Sequence, residues 1–122
     1  APVHEEMDAW HKATSRPILI GEHHVALLSE RQHPPHWRAF TADEREAYYH
    51  NYVKTWAAFP YALGSHWYQF VDQAITGRST DGENQVVGMV DITDQPYDHL
   101  IRTARQLSDS IYHWHNNSAG GR

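Results

Sequence analysis

Residues 17–22, Pro-Ile-Leu-Ile-Gly-Glu, constrain this chain more than any other stretch. Three consecutive β-favouring residues after a proline read as a short strand of the buried, parallel kind. A second run of similar character, 62–70 (Ala-Leu-Gly-Ser-His-Trp-Tyr-Gln-Phe), comes only after a long connection that contains a helix. Strands joined that way pair in parallel through a right-handed crossover. Gly21-Glu22 then stand at the C-terminal end of the first strand, where α/β folds gather their ligand-binding groups.

The other elements follow from local signals. A leading helix is expected within 1–15, centred on 4–14, with Met7 and Trp10 on one face, acids early and Lys12 late, as the helix dipole favours. Residues 23–40 form a long connection containing Pro34-Pro35, His33, His36, Trp37 and Phe40, and connections of that length are usually functional or mobile. Thr41-Ala-Asp-Glu44 is a capping box opening a helix over 42–58. Its Tyr49, Tyr52, Val53 and Trp56 recur at helical spacing and mark a buried stripe. A polar loop (72–85) follows the second strand, 86–91 reads as a short extension strand, and Asp94 with Pro96 signals a helix over 95–115. Its apolar stripe is Leu100, Ala104, Leu107, Ile111 and Trp114, and 116–122 is expected as a flexible tail. The fold class is therefore α/β, with two parallel strands and flanking helices in the order helix-strand-helix-strand-helix.

Composition narrows the function. A net charge of −5 without a basic cluster argues against nucleic acid as a partner. No apolar run approaches the roughly 18 residues that span a bilayer, so no membrane partner is expected. With no cysteine there is no disulfide framework and no thiolate metal site. Eleven histidines invite an imidazole metal site from His23-His24, His33, His36 or His113 and His115. No HExxH pattern is present, and adjacent histidines on a strand diverge, so neither metal nor cofactor is expected. Ala1 enters a helical pattern almost at once, as in a processed chain or a segment of a longer one, although simple Met removal would look the same.

Three residues stand out for chemistry. A carboxylate at a strand end, Glu22, is held better than one on a loop tip, as a nucleophile requires, but an ordinary exposed glutamate would occupy the same place. Trp67 and Gln69 share parity on the second strand, offering a flat apolar face and an amide beside Glu22. Trp67 is equally readable as a core residue. The loop carrying Arg78, Asp81, Glu83 and Asn84 is either a substrate wall or a solvated turn at Asp81-Gly82.

The ordered strings Pro17-Ile-Leu-Ile-Gly-Glu22, Gly64-Ser-His-Trp-Tyr-Gln-Phe70, Asp72-Gln, Thr76-Gly-Arg78, Asp81-Gly-Glu-Asn84, Val87-Gly-Met-Val-Asp91 and Thr93-Asp-x-Pro-Tyr97 resemble the C-terminal part of a retaining (β/α)8-barrel glycoside hydrolase of the β-agarase kind. The resemblance implies that 17–22 and 62–70 are barrel strands 7 and 8, making 1–122 a single partial-barrel domain. It implies that Glu22 is the nucleophile of a double displacement on β-linked, galactose-containing, agarose-like polysaccharide. It makes Trp67 the aromatic floor of a sugar subsite and brings His24, Gln69, Asp72, Arg78, Glu83 and Asn84 to loops lining the cleft. It also implies a secreted or periplasmic setting. A complete barrel takes about 250 residues, and the strand bearing the acid/base group is missing from this chain. Glu83 is a local carboxyl, but nothing in the resemblance gives it that role. The chain is accordingly expected to be inactive alone, its barrel completed as a homo-oligomer or by a partner chain supplying the remainder. The alternatives are a non-catalytic carbohydrate-binding or oligomerising domain and, third, a histidine-rich metal-binding protein.

Overall fold

A computed structural model of the chain describes residues 4–29 and 37–119. The elements are α1 (His4–Thr14), β1 (Ile18–His23), β2 (Ala26–Leu27), β3 (Arg38–Ala39), α2 (Ala42–Ala57), β4 (Ala62–Trp67) and α3 (Asp98–Ala119). β1 and β4 form a two-stranded parallel sheet, with Ile18 opposite Ala62, Ile20 opposite Ser65 and His23 opposite Trp67. The register shifts on either side of Leu19 and Ile20, so the pairing is bulged. β2 and β3 make a second, two-residue parallel pair that the sequence did not announce. It lies inside the expected long connection, whose residues 30–36, including Pro34-Pro35, His33 and His36, fall outside the described residues.

The helices pack on the sheet through one core. Met7 of α1, Val53, Trp56 and Ala57 of α2, Phe59, Ala62 of β4 and Leu107 of α3 are buried together, with Ile18, Ile20, Tyr49, Tyr52, Tyr61, Ile111 and Trp114 against them. Met7 and Trp10 part company: Met7 is buried, while Trp10 is 55% exposed beside β1. Tyr61 holds α1 instead, stacking on His11 at 4.2 Å and donating its hydroxyl to Asp8 at 2.5 Å. The start of α2 is capped on both sides: Thr41 Oγ1 accepts from Glu44 N at 3.1 Å, and the Glu44 carboxylate accepts from Phe40 N at 2.7 Å. The carboxylate thus reaches one residue further back than a standard capping box.

Several elements differ from the sequence reading: β1 runs Ile18–His23 and not 17–22, and α2 ends at Ala57 and not 58. β4 stops at Trp67, short of 70; the bond from Tyr68 N to His23 O at 2.9 Å is the last rung of its ladder with β1. Trp67 and Gln69 therefore do not share a strand face. The expected strand 86–91 consists of single bridges, Val86 to Leu27 and Val90 to Val71 and Pro96. α3 opens at Asp98, not 95, since Asp91 Oδ1 collects Thr93 N, Thr93 Oγ1 and Gln95 N in a turn ahead of it. The helix then continues to Ala119, through the first part of the expected tail.

Among the described residues, neither outer edge of the β1–β4 sheet carries another strand. Leu19 and Leu63, each following a core-packed strand residue, remain 50% and 68% exposed. Parallel strands are normally covered on both faces, so this sheet is half dressed. No described helix is long and apolar enough to cross a membrane.

Leu107 joins α3 to this core at 3% exposure. Leu107→Ala is expected to lower the unfolding free energy by about 2–5 kcal/mol in a urea titration, through lost burial and a cavity.

Candidate active site

The C-terminal ends of β1 and β4 lie side by side, with His23 opposite Trp67. The register shift between Ile20 and His23 breaks strict alternation at Gly21-Glu22. Glu22 is exposed, whereas His23 is buried toward α2. The His23 ring stacks on Tyr52 at 4.4 Å, meets the edge of Trp67 at 5.4 Å and has Ser65 Oγ 3.0 Å from its Nε2. Burial, helped by the neighbouring His24, pushes its pKa down to about 4. His23 is thus a neutral aromatic strut under the strand that carries Glu22.

His24 is half-buried, with its ring 5.7 Å from that of Tyr68. Burial lowers its pKa, while Glu22 and Glu83 pull the other way and Arg45 adds to the lowering. The two carboxylates therefore act on one imidazole. Trp67 is half-buried; its Nε1 donates to Val87 O at 2.8 Å, and Tyr49 packs on it at 4.7 Å. This fixes the indole by its edge.

The loop after β4 divides into an outer and an inner set. Arg78 forms a two-pronged pair with Asp81 at 2.7 Å on each prong, donates to Tyr68 Oη at 2.8 Å and lies 3.4 Å from Glu83. The Arg78 contact holds the Asp81 carboxyl down at about 2. Glu83 also accepts from Gln73 Nε2. These groups sit near His24 and Tyr68 at the rim.

Gln69, Asp72 and Asn84, expected in loops that line the cleft, make hydrogen bonds that brace the loop. Gln69 Nε2 donates to Val71 O at 2.6 Å, and Asn84 Nδ2 to Ile75 O at 3.1 Å. Asp72 is 7% exposed, and both its oxygens are engaged, by Gly88 N at 2.6 Å and by the Tyr97 hydroxyl at 2.5 Å. Burial, and then that bond to Asp72, raise the Tyr97 pKa.

Sequence reasoning missed His23 as a strut, Ser65, Tyr97 and above all Arg45. Arg45 is fully buried. A signal existed: it precedes Tyr49, Tyr52 and Trp56 at helical spacing and extends their stripe by one turn. The surrounding Asp43, Glu44 and Glu46 disguised it as part of a solvated charged turn.

Among the described residues, no group of three or more His, Asp or Glu is placed to hold a metal ion. His113 and His115 diverge along α3, the first 2.9 Å from Asn117 Nδ2 and the second 3.3 Å from Ala57 O.

With this geometry in hand, the chain is a small α/β unit of parallel strands and three helices that matches a segment of larger glycoside hydrolases. In particular, it resembles the β-agarases. It is 39% identical to Beta-agarase B of Vibrio sp. (strain JT0107) over 98 residues, 80% of this chain and 10% of that protein. The solved structure of PfGH50B superposes with a TM-score of 0.84 at 33% identity, covering 93% of this chain and 17% of that one. An exo-beta-agarase superposes at 0.82 and 33% identity, covering 91% and 15%. The chain thus spans only about a tenth of the curated relatives it matches. No family model matches it.

The His23 environment gives a pH signature. The unfolded ring takes up a proton near 6.5 and the folded ring only near 4. Stability is therefore full above 6.5, declines as pH falls toward 4, and levels below it. The expected loss is on the order of 3 kcal/mol from this residue, with His24 and His99 adding in the same direction because burial lowers both. Chemical denaturation across that range should show the decline, and His23→Phe should remove the larger part of it.

Proposed function

We propose that this chain is the nucleophile-bearing segment of an agarase-like retaining glycoside hydrolase acting on agarose-type, β-galactoside-containing polysaccharide. The observation that carries the reading is Glu22: exposed, at the C-terminal end of a parallel strand, beside the strand that ends in Trp67. Glu22 attacks the anomeric carbon of the bound sugar, forming a glycosyl-enzyme as the leaving oxygen departs with a proton from a general acid. Water, activated by the same group acting as base, then releases the sugar with retained configuration. Trp67 supplies a flat apolar face for the ring, and His24, Arg78 and Glu83 supply polar groups at the rim.

The acid/base carboxyl of such a pair stands about 5–5.5 Å from the nucleophile. It is assigned here to a strand outside this chain. The edges of β1 and β4, open among the described residues, and the exposed Leu19 and Leu63 support completion by further strand–helix units, from a second copy or from the remainder of a barrel. In this reading the chain alone binds saccharide without turning it over.

Two measurements test this. In the barrel-completed enzyme, Glu22→Gln is expected to cut hydrolysis of agarose and aryl β-galactosides by roughly three or more orders of magnitude, since the covalent path is lost; unchanged turnover would remove Glu22 from the mechanism. For the chain alone, light scattering coupled to size exclusion is expected to give a mass above that of the monomer. A well-folded monomer there would count against completion by self-association.

A further inference from the structure

We propose that Arg45 is the positioning residue of this site, setting the Trp67 ring and the strand exit that carries Glu22 relative to one another. The inference rests on the carbohydrate reading above. Arg45 lies near the start of α2, and its side chain is wholly buried. Its Nε donates at 3.0 Å to Val25 O, in the segment leaving β1 directly after Glu22-His23-His24. Its Nη2 donates at 3.0 Å to Gly88 O. The Trp67 indole donates to Val87 O, so Trp67 and Arg45 hold neighbouring carbonyls of one segment.

The guanidinium also lies 5.7 Å from the centroid of the Trp67 ring and 5.1 Å from that of Tyr97. Tyr97 in turn donates to Asp72, whose other oxygen accepts from Gly88 N. Gly88 is thereby gripped at both its polar groups, and a Cβ there would collide with Val90 O and Asp72 N. One planar group therefore reaches the exit of β1, the ring at the end of β4 and the loop beyond. A nucleophile and a sugar platform on two strands act on the same ring only while their spacing is held within a fraction of an ångström. A lysine lacks both the fork and the flat face, so it cannot make this set of contacts.

The test uses the intact chain. Trp67→Phe identifies the Trp67 indole N–H resonance, and its solvent exchange is followed in Arg45→Lys and Arg45→Met, with the amides of Val53 and Leu107 as core reporters. Binding of an agarose-derived hexasaccharide is measured in parallel. In Arg45→Lys the indole exchange rate and the saccharide Kd are each expected to rise about tenfold, with the core amides still protected. Arg45→Met should go further; if it does not fold, the lysine variant decides. An unchanged indole in folded Arg45→Lys overturns the proposal, as does equal loss of protection at the indole and the core amides, which would mark a plain structural strut. A wild-type chain that ignores the hexasaccharide overturns the carbohydrate reading instead, and the indole then decides whether Arg45 positions Trp67.

Discussion

The structure depends on a cation kept out of water. The Arg45 guanidinium is buried between α2, the exit of β1 and the loop that returns past β4, in a setting where an uncompensated charge would cost several kcal/mol. Two carbonyls accept from it, two aromatic faces cover it, and the Asp72 carboxylate acts on it from nearby. Burial lowers its pKa only to about 10, so it stays charged at neutral pH. Because each compensating group belongs to a different segment, the charge is tolerated only when all of them are in place. That gives an irregular region, poor in regular secondary structure, a single arrangement.

Around this centre the chain is asymmetric. One side of the β1–β4 sheet meets helices and shares a continuous core with them. The other leaves Leu19 and Leu63 in solvent, and both sheet edges are open among the described residues. Two parallel strands cannot cover themselves, and three helices on one side cannot cover both faces. Glu22, at the exposed end of β1, is open to solvent, while His23, one residue on, is packed under the helices.

The loop after β4 solves a different problem. It presents polar groups outward while using others to brace itself: Asp72, Gln69 and Asn84 engage internal donors and acceptors, and Arg78, Asp81 and Glu83 form the charged rim. Residue types that look alike in the sequence thus end in opposite roles.

The sequence by itself determined the parallel strand pair, the capped helix between the strands, the apolar stripes of α2 and α3, and Glu22 at a strand end. These follow from short-range periodicity, turn chemistry and ordered local strings, each contained within a few neighbouring residues. Only the tertiary structure decided that β4 ends at Trp67, that Asp72 and Asn84 turn inward, that Met7 and Trp10 separate, and that Arg45 and His23 are buried. Each of those outcomes depends on partners far along the chain: Val25 and Gly88 for Arg45, Ser65 and Trp67 for His23, Tyr97 for Asp72. A polar side chain is buried or exposed according to whether distant groups satisfy it, and that is settled only when the segments meet.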